Sequence, residues 1–134
     1  MSEERYNYYE LQSNGNIVWC SVLYQSTYES NLHIQGNLFL TKEEAERERD
    51  RRSLLNCIDR FRYKCQGDWK PDWTRWSQFK YCIYWNGEVL LAVPCELNFE
   101  FNIFGYFKNH EDCLAAIGEF GDEIKRLYIE ELKK

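Results

Sequence analysis

The sequence predicts an α+β domain of two similar halves, each a β-hairpin, a further strand and a helix, with antiparallel sheet and helices packed against it. Two observations carry that expectation. First, an aromatic-rich stretch split by Asn14-Gly15 recurs as a second one split by Asn86-Gly87. Asn-Gly favours a tight hairpin because both residues tolerate positive φ. Second, each hairpin is followed by a glycine, a short apolar stretch and a helix start. In the first half this is Gly36-Asn37-Leu38-Phe39-Leu40-Thr41-Lys42-Glu43-Glu44-Ala45, and in the second Gly105-Tyr106-Phe107-Lys108-Asn109-His110-Glu111-Asp112-Cys113. The expected organisation is a single domain, with 1–65 as the first half, 66–78 as a tryptophan-rich linker and 79–134 as the second half.

Taken in order, Tyr6 to Gln12 and Asn16 to Val22 flank the first turn and are rich in Tyr, Ile, Val and Trp, which suit a half-buried pleated surface. Leu23 to Leu32 is polar and aperiodic and reads as a loop or an irregular edge strand. Gly36 opens a short strand, Asn37 to Leu40. Thr41 and Glu44 have the spacing of a capping box, in which the hydroxyl accepts from the Glu44 amide, so a helix begins there. Its later turns carry an apolar stripe at Leu54, Ile58, Phe61 and Cys65. Its first turns, Lys42 to Ser53, hold only Ala45 as an apolar residue, so burial alone cannot hold them and they read as solvated unless bound.

Gly67 and Pro71 break the chain into the linker. Phe79 to Trp85 and Glu88 to Val93 form the second hairpin, and Pro94 argues against a central strand because it has no N–H to give the ladder. Leu97 to Ile103 alternates apolar and polar residues, the pattern of a half-buried strand. Asn109 is placed to cap a helix running through Ile117. Gly118 and Gly121 are expected to interrupt it, and Asp122 to start a last helix with Ile124, Leu127, Tyr128 and Leu132 on one face.

Composition excludes several classes. With 134 residues and a net charge of −5, the chain does not match a protein that coats duplex phosphate with lysine and arginine. The charge is uneven: Lys42 to Arg75 holds ten basic and eight acidic residues, Glu96 to Lys134 nine acidic and five basic. The six cysteines stand apart, with no CxxC pair, and the first residues lack the basic start and apolar run of a secretory signal. Buried thiols in a reducing cytoplasm are the expectation. No apolar run is long enough to span a bilayer, so no membrane association is expected.

Catalytic chemistry finds little support. A nucleophile needs a neighbouring base, and the only histidines are His33 and His110, one in a loop and one in the first turn of a helix. Neither GxGxxG nor a Walker loop occurs. Cys57 and Cys65 are too far apart to read as a zinc half-site. The expectation is no enzyme, no cofactor and no metal. Two clusters remain as candidate contact residues. One is the basic helix, Arg47, Arg49, Arg51, Arg52, Arg60, Arg62 and Lys64, suited to phosphates or an acidic protein face but diluted by Glu44, Glu46, Glu48 and Asp50. The other is the linker, with Trp69, Lys70, Trp73, Arg75 and Trp76, where indole rings could anchor a protein or stack bases.

The line from Tyr6 through Asn14-Gly15 and on from Gly36 to Glu46 resembles the first half of a group of small phage and prophage proteins of bacteria. Trp69-Lys70-Pro71-Asp72-Trp73, Gln78-Phe79-Lys80-Tyr81-Cys82-Ile83-Tyr84-Trp85 and the Tyr106-Phe107 lead into the Glu111 helix start resemble its second half. The resemblance covers nearly the whole chain and rests on structural motifs, so it transfers no functional residues. It implies a protein of a bacterial mobile element, located in the cytoplasm of the host, and the group brings no established activity with it. Arg47, Arg49 and Arg52 depart from the pattern, standing where apolar helix positions are expected.

By analogy with small acidic phage proteins lacking catalytic residues, the expected function is to bind and inhibit a component of bacterial antiviral defence, an anti-CRISPR protein being one form. The partner would be a host or phage protein such as a defence nuclease, with homo-oligomers left open. The alternatives are a nucleic-acid-binding accessory protein that uses the arginine helix and linker aromatics, and a phage structural or assembly module.

Overall fold

The computed structural model describes residues 5–23, 30–32, 35–75, 78–95 and 102–130. His33, Trp76, Leu132 and most of the strand expected over Leu97 to Ile103 lie outside them. The fold is α+β: β1 (Arg5–Leu11), β2 (Ile17–Leu23), β3 (Leu38–Phe39), α1 (Lys42–Gln66), β4 (Tyr81–Trp85), β5 (Leu90–Pro94) and α2 (His110–Ile124), followed by a π-helical turn, Lys125–Ile129. The chain forms two compact units, Met1–Arg52 and Ser53–Lys134, and the division falls inside α1.

In the first unit β1 is central, in the order β2-β1-β3, and both pairings are antiparallel. Asn14-Gly15 makes the β1–β2 turn: Gly15 has φ 87°, and Asn14 Oδ1 accepts the Asn16 N–H at 3.0 Å. Thr41 Oγ1 accepts the Glu44 N–H at 3.1 Å, which satisfies an amide that the first turn of α1 would otherwise leave open. The buried apolar side chains described here are Leu11, Leu32 and Ala45.

The second unit repeats the plan. β4 pairs with β5 from Trp85↔Leu90 to Tyr81↔Pro94, so the proline sits at the end of an edge strand, where its missing N–H costs least. On the other side of β4, Tyr81 exchanges both backbone hydrogen bonds with Phe107 at 2.8 Å. The correspondence is close: Phe39 pairs with Tyr9 just before α1, and Phe107 with Tyr81 just before α2. Gln66, the last residue of α1, completes this strand-like segment. Its side-chain amide donates to the Tyr106 carbonyl and accepts from the Lys108 N–H, both at 2.9 Å.

The core of this unit gathers Leu54 and Ile58 of α1, Ile83 of β4, Phe104, Phe107, Cys113, Ala116 and Ile124 of α2, and Leu127 and Ile129 of the π turn. The expected stripe thus buries Leu54 and Ile58, while Phe61 packs half-buried on the cluster. The expected break at Gly118 and Gly121 does not occur: α2 runs through both glycines, and Asp122 lies inside it rather than at a new start. Gly121 is buried, and a Cβ added there would stand at ordinary contact distance, 3.6 Å, from Leu90 Cδ1 of β5. Asn109 occupies the position before α2 in an extended conformation, but its side chain makes no cap. Its amide donates to Asp112 Oδ2 at 3.3 Å instead. Among the described residues no helix is long and apolar enough to cross a membrane.

Candidate functional site

The arginines of the first turns of α1 are tied into the first unit. Arg52 donates to Glu48 Oε1 at 3.3 Å, Asn37 Oδ1 at 2.9 Å and the Gly36 carbonyl at 3.0 Å, closing the turn that precedes β3. Arg49 pairs with Asp50 at 3.2 Å, and its aliphatic stem passes 3.8 Å from where Gly15 would carry a Cβ. Arg47 and Arg51 are half-buried and engaged. These turns have no apolar stripe because long side chains, with methylene stems and polar tips, do the covering.

The linker residues fold into a hydrogen-bonded loop in the second unit. Asp72 accepts from the Thr74 hydroxyl and, at 3.0 Å, from its N–H, and these bonds hold its carboxyl below the usual carboxylate value. The Asp72 N–H donates to Gln78 Oε1 at 2.6 Å. Lys80 is only 2% exposed. Its ammonium donates to the carbonyls of Arg75 and Gln78, each at 3.2 Å, and lies 5.1 Å from the centre of the Trp73 ring. The Tyr106 ring also packs edge-on against Trp73, at 4.8 Å. Tyr106 Oη in turn accepts the Asn102 N–H, and Asn102 Nδ2 donates to the Ile83 carbonyl at 2.8 Å. Trp73 is therefore part of the loop's framework. Trp69 is half-buried, while Lys70 and the side chain of Arg75 are exposed.

Arg60 sits elsewhere, on the rim of an open groove of about 380 Å³ lined by Cys57, Arg60, Phe61, Lys64, Glu119 and Phe120. Its floor is the edge-to-face pair Phe61–Phe120, with ring centres 5.7 Å apart. Arg60 and Lys64 are one helical turn apart on α1, and both are exposed. Arg62 is neutralised by Asp59 at 2.8 Å. By contrast, neither Arg60 nor Lys64 has a carboxylate partner among the described residues, and Arg60 reaches only Cys57 Sγ at 3.9 Å. Tyr63, 68% exposed, stands beside them. Cys65, near the end of α1, has its thiol pushed up by burial and then by Asp112.

Of the twelve residues singled out by sequence, the loop gathers Trp73 and Arg75 around Lys80. The turns of the first unit take Arg49 and Arg52, Arg60 and Lys64 line the groove, and Trp76 lies outside the described residues. Sequence reading did not pick out Tyr63, Lys80 or Phe120. The i,i+3 spacing of Arg60 and Tyr63 on α1 is a usable signal for Tyr63. No local signal marks Lys80 as buried. Among the described residues no set of three or more His, Cys, Asp or Glu is arranged to hold a metal, and the His110 ring packs edge-on against Tyr81 at 5.3 Å. No protein-family model, curated protein or solved structure matches this chain.

Proposed function

We propose that this chain is a non-enzymatic binding protein. It engages an acidic patch of a partner protein through the α1 groove, and the partner is a component of bacterial antiviral defence such as a CRISPR effector. The observation that carries the binding surface is the pair Arg60 and Lys64, two exposed cations without carboxylate partners among the described residues, beside Tyr63 and the Phe61–Phe120 pair of the groove. Tyr and Arg beside an aromatic groove are the residue types that dominate interface energies, and exposed cations speed association with an acidic face. The defence assignment rests on analogy with small acidic phage proteins that lack catalytic residues. The nucleic-acid alternative draws less support, because Trp73 is engaged by Tyr106 and Lys80 and Arg52 by the turn before β3.

The test is a plaque assay in bacteria carrying a characterised defence system and expressing this protein. Wild type should restore plaquing by a targeted phage, and R60E/K64E, with unchanged circular dichroism, should not. If wild type leaves plaquing unchanged in CRISPR-positive and other defence-positive hosts, the defence assignment fails. If the double variant is as active as wild type, the groove is not the contact surface.

A further inference from the structure

The second hairpin brings two cysteines together on one face. Cys82 stands opposite Val93 in the β4–β5 register, and Cys95 continues that register opposite Lys80, donating its N–H to the Lys80 carbonyl at 2.7 Å. Residues 80 and 82 share a side of the pleat, so Cys82 and Cys95 are diagonal neighbours. Their side chains are 3% and 6% exposed, and the two sulfurs lie 2.6 Å apart. We propose that Cys82 and Cys95 form an oxidative modification site, a dithiol that a peroxide converts to a disulfide across the hairpin.

A disulfide needs the sulfurs only about 0.6 Å closer than they stand. The chemistry balances with hydrogen peroxide as oxidant. One sulfur attacks the O–O bond, so an S–O bond forms, the O–O bond breaks and a first water leaves. The second sulfur attacks the resulting sulfenic acid, so the S–S bond forms, the S–O bond breaks and a second water leaves. Two electrons pass from the thiols to the peroxide, and both thiol protons end in water. Peroxide is little larger than water and suits sulfurs this buried, whereas a bulky disulfide such as oxidised glutathione does not reach them. A third thiol, Cys113 of α2, is fully buried. Burial and then the charge of Cys95 push it up to about 12, so it keeps its proton and lacks the nucleophilic thiolate. This site is independent of the groove and of the partner proposed for it.

The experiment treats the full-length reduced protein with a small excess of hydrogen peroxide, quenches it, and alkylates it under denaturing conditions before intact-mass and peptide mapping. The expected product is a monomer lighter by about 2 Da before alkylation. Six thiols less the two linked leaves four that take up reagent, and the map contains a Cys82–Cys95 linked peptide. C113S should give the same linked peptide, and C82S should keep all its remaining thiols. Retention of all six thiols in wild type overturns the proposal, as does a linkage involving Cys113, a disulfide dimer or loss of two thiols from C82S. The wild-type map decides the matter even if a serine variant fails to fold.

Discussion

Single residues in the second unit carry loads that their types alone would not suggest. Lys80 is a buried ammonium satisfied by two backbone carbonyls and an indole face rather than by a carboxylate. Lys80→Met should keep the stem and orphan both carbonyls, lowering unfolding free energy by about 2–4 kcal/mol in urea titrations. Gly105 has φ 81°, and a Cβ there would fall on the Arg62 guanidinium, whose Nε is buried without a hydrogen-bond partner. Gly105→Ala should therefore cost about 1–3 kcal/mol, and the double variant with Arg62→Ala should lose less than the sum of the two single changes. Asp72 supplies a pH dependence. Its folded carboxyl is held below 3.8 chiefly by Thr74. Its contribution is thus complete above that ordinary value and is lost as pH falls through the lower, folded value. Asp72→Asn should flatten this part of the acid-stability profile, measured by unfolding at a series of pH values.

At the scale of elements, sequence reading succeeded where information is local. The Asn-Gly turns, the Thr41 to Glu44 cap and the Leu54, Ile58 stripe all depend on residues within a few positions of one another, and each appears in the structure. It failed where a contact joins distant positions. Nothing near Arg52 in the chain announces its bonds to Gly36 and Asn37, 16 and 15 residues away, so the first turns of α1 read as solvated. Glycine in α2 carried the opposite error. A rule about helix propensity suggested a break, whereas α2 runs through both glycines. Gly118→Ala, with open space around it, and Gly121→Ala, whose Cβ would meet Leu90 Cδ1 at ordinary contact distance, 3.6 Å, should both raise the thermal midpoint slightly by limiting the unfolded chain. The candidate groove was half legible: Arg60 and Lys64 were recognised in the basic cluster of α1, but Phe120, on a different helix, could not be linked to them by spacing.

At the scale of the whole molecule, the two units are unequally equipped. The second holds a continuous cluster that includes Phe104, Phe107, Ile58, Ile124 and Leu127, while the described buried apolar side chains of the first are Leu11, Leu32 and Ala45. A fragment spanning 53–134 should unfold cooperatively by circular dichroism, and one spanning 1–52 should not, since so short a chain buries too little apolar surface to offset its ordering entropy. The caged ammonium of Lys80 gives such experiments an internal clock. An acylating reagent reacts at once with surface amines, but reaches Lys80 only when its loop opens or the whole unit unfolds. The rate at which that one lysine is labelled, followed against denaturant, separates these events: a slope near zero marks a local excursion, and a slope matching the global transition marks unfolding of the entire second unit.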